Sequence, residues 1–516
     1  MCAASIHAVR WFLKKARAGR SPPKECAHWI CWHGGVENKS PLIVPLPDHF
    51  SLSLKCFGHF ARSRHPHQPI LAVGQIRFVA SCRKLRKPTI TINKACAWLI
   101  ICIPGHSLGR RKPLAPRCRV RHVADAMEYH VSQRAASLSP SLTLAITAKA
   151  KELRATGEDV IGLGAGEPDF DTPDHIKDAA VQALADGFTK YTPAAGTPEL
   201  RAAVARKFER ENNLQYDPQQ IIISCGGKHS CYNVMLATCE EGDEVIIPAP
   251  YWLSYPEMVT LAGATPVIVQ TTDATEFKLT PDQLRAAITD RTRLFIFNSP
   301  SNPTGSVYTP EEVRALGDVC VEKGVLIMSD EIYEKLLYGD AVFKSVAACS
   351  PEHQAHTIIV HGLAKAYSMT GWRIGFTAAP LPIAKAISAI QSHSTSNATS
   401  FAQSGAIQAL DGPQEHITKW LSEFSKRRTF AHEQLNAMPG ITCVNAQGAF
   451  YLFPNISSTG MKSAEFCERL LSEAKVAAVP GVAFGSDEYI RISYATGMDN
   501  LEEALKRLTL FLKNLA

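Results

Sequence analysis

From about residue 139 onward the sequence predicts an α/β fold: a mainly parallel seven-stranded sheet covered by helices, with a smaller α+β domain beside it. Three observations predict it. Seven short β-branched runs fall within about 160 residues: 221–224, 244–248, 266–269, 294–298, 325–329, 357–360 and 373–378. Helix-length segments such as Pro310–Lys323 separate several of them, and alternation of that kind argues for parallel strands covered on both faces. After about residue 413 the pattern changes to helices at 417–438, 463–474 and 500–514 around two short apolar runs, 448–454 and 489–494. Ahead of the sheet, Thr143–Gly157 reads as a helix with apolar Leu144, Ile146, Ala150 and Leu153, closed by Gly157.

Composition divides the 516 residues near Met127. Residues 1–126 carry 22 Lys plus Arg against four acidic residues, +18; the remainder carries 33 against 44, −11; together they give the net +7. Eight of the 15 Cys lie in the first piece, and the other seven are scattered without CxxC pairing. Scattered Cys in a large chain reads as reduced thiols in an intracellular, cytoplasmic enzyme. The densest apolar run, Ala97–Ile103, is far too short for a membrane helix, so no membrane span is expected.

The first 126 residues keep no helical or strand period, because prolines interrupt them repeatedly. Three readings stand: an organelle transit peptide, a DNA-binding module, or a stretch outside the native protein, with Met127 as the natural start. The mixture of Cys, Trp, His and Pro favours the third. Cys26, His28, Cys31 and His33 match no closed zinc site, and no second ligand pair follows them, so no metal is expected.

Five clusters at strand ends carry chemistry, since ligands gather at the carboxyl edge of such a sheet. Gly226-Gly227-Lys228 follows a strand and opens a helix, a place where backbone N–H groups receive an anion. Asn298–Gly305 holds Asn302 between two X-Pro steps. Asp330 ends a strand and needs a cationic partner if buried, with Tyr333 three residues on. Lys365 lies just past the strand at 357–360, and a partly desolvated lysine is a Schiff-base nucleophile. Arg373 follows it. Arg491 sits between apolar neighbours and, if they are buried, must find a carboxylate. Singly, each has a plainer reading: a turn, a rigid loop, a solvated lysine, a structural ion pair.

Together, and in this order, they resemble the fold-type I pyridoxal-phosphate aminotransferases, in particular the class I aspartate aminotransferases of the bacterial type, a group that includes aspartate/prephenate aminotransferases. The distinctive strings are Gly166–Pro173, Pro250–Met258, Asn302–Gly305, Ser329–Tyr333 and Lys365–Gly375. The resemblance runs from about Met127 to the C-terminus. It implies pyridoxal 5′-phosphate held by Lys365 as an internal aldimine, with Lys365 also shuttling the proton. It implies Asp330 at the pyridinium nitrogen, Tyr333 and Asn302 at the ring's 3-oxygen, and Trp252 stacked on the ring. The amides of Gly227 and Lys228, with Arg373, would hold the phosphate. Arg491 would take the substrate α-carboxylate, and Gly166 would meet the substrate through its backbone. Tyr191 would reach the phosphate of the partner subunit in a homodimer. Where many relatives carry Ser or Asn four residues before the lysine, this chain has His361, which either contacts the phosphate or packs beside it.

Lys228 and Thr143 match the positions that read a distal carboxylate, which favours aspartate, glutamate, oxaloacetate and 2-oxoglutarate. Prephenate transamination uses the same pair, and an aromatic or aliphatic aminotransferase is the other rival within the class. Some transcription regulators fuse a basic DNA-binding domain to such a body. The basic piece here lacks helix-turn-helix periodicity, and Lys228, Arg491 and Thr143 together favour turnover, so neither nucleic acid nor membrane is an expected partner. The expected division is 1–126 as an extension, 127–172 as the N-terminal part of the small domain, 173–412 as the large cofactor-binding domain, and 413–516 as the C-terminal small domain.

Overall fold

Ile221, Ile222 and Ile223 are all buried, although successive side chains of a strand point to opposite faces. The sheet they belong to is therefore covered on both sides. In this computed structural model residues 130–138 and 142–515 are described, together with four short strands before them. The chain separates into two units, Met1–Met127 and Glu128–Ala516. In the first, Ile30–Cys31 pairs antiparallel with Leu42–Ile43, and Phe50–Leu54 with Phe78–Cys82. The side chains of the Cys26, His28, Cys31 and His33 cluster lie outside the described residues.

The second unit is built on seven strands: β1 (Ile221–Ser224), β2 (Glu244–Ala249), β3 (Thr265–Gln270), β4 (Thr292–Asn298), β5 (Leu326–Asp330), β6 (Thr357–Gly362) and β7 (Gly375–Ala378). Their order is β1-β7-β6-β5-β4-β2-β3. All run parallel except β7, which is antiparallel to both neighbours. One apolar cluster joins Ile222, Val245, Ile296 and Met328 to the helices on one face; others cover Ile223, Ile359 and Phe376, and Ile246, Phe295 and Ile327, on the opposite face.

The helices that matter below are α1 (Leu142–Ala155), α2 (Gly227–Thr238), α3 (Ser254–Ala262), α4 (Pro310–Lys323), α5 (Glu415–Asn436), α6 (Ser463–Ala474) and α7 (Met498–Leu515). Helix α4 has a full capping box: Thr309 accepts from the Glu312 amide while Glu312 reaches back to the Thr309 amide. Helices α5, α6 and α7 pack on a small antiparallel sheet of β8 (Tyr451–Leu452), β9 (Val479–Pro480) and β10 (Ile490–Ser493), with β10 in the middle.

All seven expected strands are present, with shifted ends. The expected run 373–378 begins only at Gly375, because Arg373 has a left-handed backbone (φ 56°) at the close of a short 3₁₀ turn. Strand β5 extends one residue further than expected, to Asp330, which makes the carboxylate the strand's last side chain.

The two units suggest a direct test. Residues 127–516 expressed alone should fold and melt at the midpoint of the full chain, followed by circular dichroism. An insoluble or early-melting product would show that the first unit contributes to the fold.

Candidate active site

Because β1, β4, β5 and β6 are parallel, their carboxyl ends share one edge of the sheet. The segments leaving that edge carry Gly226–Lys228, Asn302, Asp330 and Lys365. Antiparallel β7 begins there, which places Arg373 at the same edge.

An anion cradle forms where β1 turns into α2. The N–H groups of Gly227 and Lys228 open the helix and are not spent within it. Gly226 adopts φ 92°, and a Cβ there would lie 2.4 Å from Arg373 Nη2, so only glycine leaves room for the guanidinium. Arg373 Nη1 donates to the Thr370 carbonyl at 2.8 Å, which holds that side chain across the loop. Gly375 is needed for the same close approach: its Cβ would lie 2.3 Å from the Gly227 nitrogen. Lys228 keeps its ammonium 4.9 Å above the Trp252 ring. Burial, and after it Arg373, push its pKa down.

Asp330 is buried, and the Tyr255 hydroxyl donates to its Oδ2 at 2.7 Å. The Ile332 amide donates to Oδ1 at 3.3 Å, and Cys231 Sγ lies 3.9 Å from Oδ2. Burial pushes this carboxyl up, against the two hydrogen bonds that favour its ionised form. Among the described residues it forms no ion pair. A buried carboxylate in that state favours a ligand that brings its own positive charge.

Lys365 is half-buried and donates to the Gly166 carbonyl. Its ammonium lies 5.8 Å from the rings of both Tyr333 and Phe450. Burial, and next the charge of Arg491, push the amine down to about 8. Arg491 is only 2% exposed. Its Nη1 donates to Asn302 Oδ1 at 2.9 Å and its Nη2 to the Gly164 carbonyl at 2.8 Å, while Nε has no hydrogen-bond partner. Tyr333 and Tyr451 share a hydrogen bond of 2.9 Å between hydroxyls.

This constellation, with a depressed lysine amine, a buried carboxyl and a glycine cradle on one sheet edge, coincides with a family match. The model for aminotransferase class I and II fits residues 158–508. The chain belongs to the class I and II aminotransferases. The aspartate aminotransferase of Geobacillus stearothermophilus is 53% identical over 388 residues, covering 74% of this chain and 99% of that one. The aspartate/prephenate aminotransferase of Nitrosomonas europaea is 48% identical over 390 residues, covering 73% of this chain and 98% of its own length. Among solved structures, Thermus thermophilus aspartate aminotransferase with maleate superposes with a TM-score of 0.71 at 44% identity, over 74% of this chain and all of that one.

Class I and II aminotransferases use pyridoxal 5′-phosphate, and the residues here fit it. The cradle of unspent N–H groups with Arg373 suits a phosphate dianion. The unpaired Asp330 suits a protonated ring nitrogen, the half-buried Trp252 offers a face for a flat ring, and Lys365 is a poised amine.

Two expected residues are not placed in this constellation. Thr143 lies on α1, and its side chain is outside the described residues. Tyr191 is 91% exposed. His361 is buried: its ring stacks on Phe376, its Nε2 lies 3.1 Å from Glu334, and its Nδ1 accepts from the Gly362 amide at 2.6 Å. It packs into a polar cluster with Glu334 and Lys207. Sequence reasoning missed Tyr255, Tyr451 and the Gly164 carbonyl, which contact Asp330, Tyr333 and Arg491. Tyr255 lay inside the quoted Pro250–Met258 string, so the signal was present without a reason to single it out.

The depressed amine has a measurable consequence. Acylation of Lys365 in cofactor-free protein, followed by mass spectrometry across pH, should be slow below the amine's pKa and rise to half its maximum near pH 8. A midpoint near the ordinary lysine value of 10.5 would show that the amine is not desolvated.

Proposed function

We propose that this aminotransferase exchanges the amino group of L-aspartate with 2-oxoglutarate, giving oxaloacetate and L-glutamate, with Lys365 as its catalytic residue. The carrying observation is the pair of substrate-side cations: Arg491, buried with an unpartnered Nε, and Lys228, which among the described residues makes no ion pair. Two cations without a carboxylate partner among the described residues suit a substrate with two carboxylates. The names of the Geobacillus, Nitrosomonas and Thermus relatives, and the maleate in the last of these, support the reading.

Bound at Lys365, pyridoxal phosphate supplies an electron-accepting ring for the bond broken at the substrate's Cα. The chain's residues do the rest. Gly227 and Lys228 N–H groups and Arg373 anchor the phosphate. Trp252 covers the ring, and Asp330 supplies negative charge to the ring nitrogen. Tyr333 and Asn302 address the 3-oxygen. Arg491 takes the α-carboxylate, and the Gly166 backbone bounds the substrate side. Lys365 Nζ, neutral at moderately alkaline pH, takes the proton from Cα and returns it. Lys228, with Thr143, reads the distal carboxylate.

Prephenate is the second keto acid of this reading. It too bears a carboxylate remote from the reacting carbon, and the Nitrosomonas relative is named for both activities. The active form is a homodimer in which Tyr191 completes the partner's phosphate site. Support comes from the exposed Val181, Leu184, Phe188 and Tyr191, an apolar stretch that a second subunit would cover. The catalytic unit comprises a small domain from residues 127–172 and 413–516 and a large one from 173–412. Residues 1–126 take no part in the chemistry. The seven cysteines among the described residues are all free, which supports a reducing compartment such as the cytoplasm.

Borohydride reduction of the holoenzyme and peptide mapping should place the cofactor on Lys365; a label on another lysine would refute the assignment. Lys228→Ala should lower kcat/KM for aspartate relative to phenylalanine by roughly 30- to 1,000-fold, the loss expected when a desolvated carboxylate forfeits its cation. Its backbone amide survives the change, so cofactor occupancy, read by absorbance, should hold. An unchanged ratio would remove the support for a dicarboxylate substrate.

A further inference from the structure

We propose that Tyr451 is a positioning residue that couples Arg491, the carboxylate-binding arm, to Tyr333, the hydroxyl that addresses the cofactor's 3-oxygen. The inference rests on the reading of this site as a pyridoxal-phosphate centre.

Tyr451 is the first residue of β8 and is fully buried. It touches both halves of the site. The Arg491 guanidinium lies 4.5 Å from the centre of its ring, and its hydroxyl lies 2.9 Å from that of Tyr333. The same hydroxyl would be 3.3 Å from a Cβ built on Gly166, whose carbonyl accepts from Lys365. A tyrosine that only filled the core would not need its polar end here; Phe424 and Phe450 already pack the surrounding cluster.

Hydrogen bookkeeping sets the direction of the coupling. Tyr333 has one hydroxyl proton. Once it is given to the ring 3-oxygen, the bond between the two tyrosines must be donated by Tyr451. The chain then runs from Tyr451 to Tyr333 to the 3-oxygen, and each bond strengthens the next. The charged groups facing Tyr451 are Arg491 and Glu167, and those facing Tyr333 are Asp330, Arg491 and Lys365. Burial pushes the Tyr451 hydroxyl up, and Arg491 opposes this, which makes the hydroxyl a better donor. A substrate carboxylate on Arg491 cancels that help. The 3-oxygen then loses part of its hydrogen bond and holds a shared proton more firmly. Asn302, bonded to Arg491 at 2.9 Å, offers a second route to the same oxygen, so Tyr451 carries a share of the coupling by which filling the carboxylate site alters the proton affinity at the cofactor.

The test is a spectrophotometric pH titration of the visible cofactor band in full-chain holoenzyme, with and without maleate as a non-reacting dicarboxylate. In wild type, maleate should raise the midpoint. Tyr451→Phe keeps the ring under Arg491 and removes only the hydroxyl. Without maleate its midpoint should rise by about half a unit or more, the size of one weakened hydrogen bond, and the maleate-induced shift should shrink. Tyr333→Phe cuts the same chain from the other end and should also shrink that shift, which keeps the test decisive if Tyr451→Phe does not fold. The double variant should titrate like Tyr333→Phe alone. A Tyr451→Phe enzyme with the wild-type midpoint and maleate shift, or a double variant with additive shifts, would overturn the coupling. A wild type with no borohydride-reducible band at Lys365 would overturn the site reading itself, independently of Tyr451.

Discussion

A carboxyl group buried at the end of β5, with no ion-pair partner among the described residues, sets the terms for the rest of the site. Asp330 follows Met328 and Ser329 in a buried strand flanked by β4 and β6, so its side chain cannot swing out to water. Burying an ionised carboxylate is costly unless hydrogen bonds and a counter-charge offset it. The chain supplies the hydrogen bonds, from Tyr255 on α3 and from the Ile332 amide, and leaves the counter-charge to a ligand. A ring whose nitrogen is held protonated provides it. The arrangement therefore suits a cationic heterocycle independently of any contact with its phosphate.

Lys365 is the complement of Asp330. Burial raises the acid and depresses the amine, because in both cases it penalises the charged form. Divergence of this kind between two groups on one sheet edge is what assigns acid and base roles at near-neutral pH. A second set of buried charges lies nearby and behaves differently. Burial pushes Glu334 up, but Lys207 and His361 beside it hold it well below the usual range. Asn212 donates to its other oxygen at 3.0 Å. That cluster is neutralised from within and asks nothing of a ligand. The contrast explains why His361, so near Lys365 in sequence, belongs to the scaffold.

The fold was largely legible because strands buried on both faces write themselves as β-branched runs such as Ile221–Ile223, with no polar alternation to blur them. The strand-end chemistry was legible for the same reason: Asp330, Lys365 and the Gly226–Lys228 turn interrupt apolar runs abruptly. What escaped depends on distance along the chain. Tyr255 meets Asp330 across 75 residues, and Tyr451 meets Tyr333 across 118. Nothing local distinguishes either tyrosine from one that fills the core. The direction of the His361 side chain was hidden too, because it is set by the register of β6 against β5 and β7. Arg373 was assigned to a strand because its neighbours are apolar, whereas its left-handed backbone follows from the tight turn that brings its guanidinium over Gly226.

The two cations proposed to face the substrate differ in how strictly they can read a carboxylate. Arg491 is buried, clamped by Asn302 and Gly164, and backed by the Tyr451 and Phe484 rings, so its remaining N–H groups point in fixed directions. A planar carboxylate at one distance satisfies it and little else does. Lys228 is a point charge on a four-carbon stem, held against the Trp252 face and partly desolvated at its amine, and an ammonium meets a carboxylate from many directions. On the proposed assignment of Arg491 to the α-carboxylate and Lys228 to the distal one, recognition would be stringent at the first and forgiving at the second. A site built this way admits dicarboxylates of different length and bulk while rejecting any substrate without an α-carboxylate.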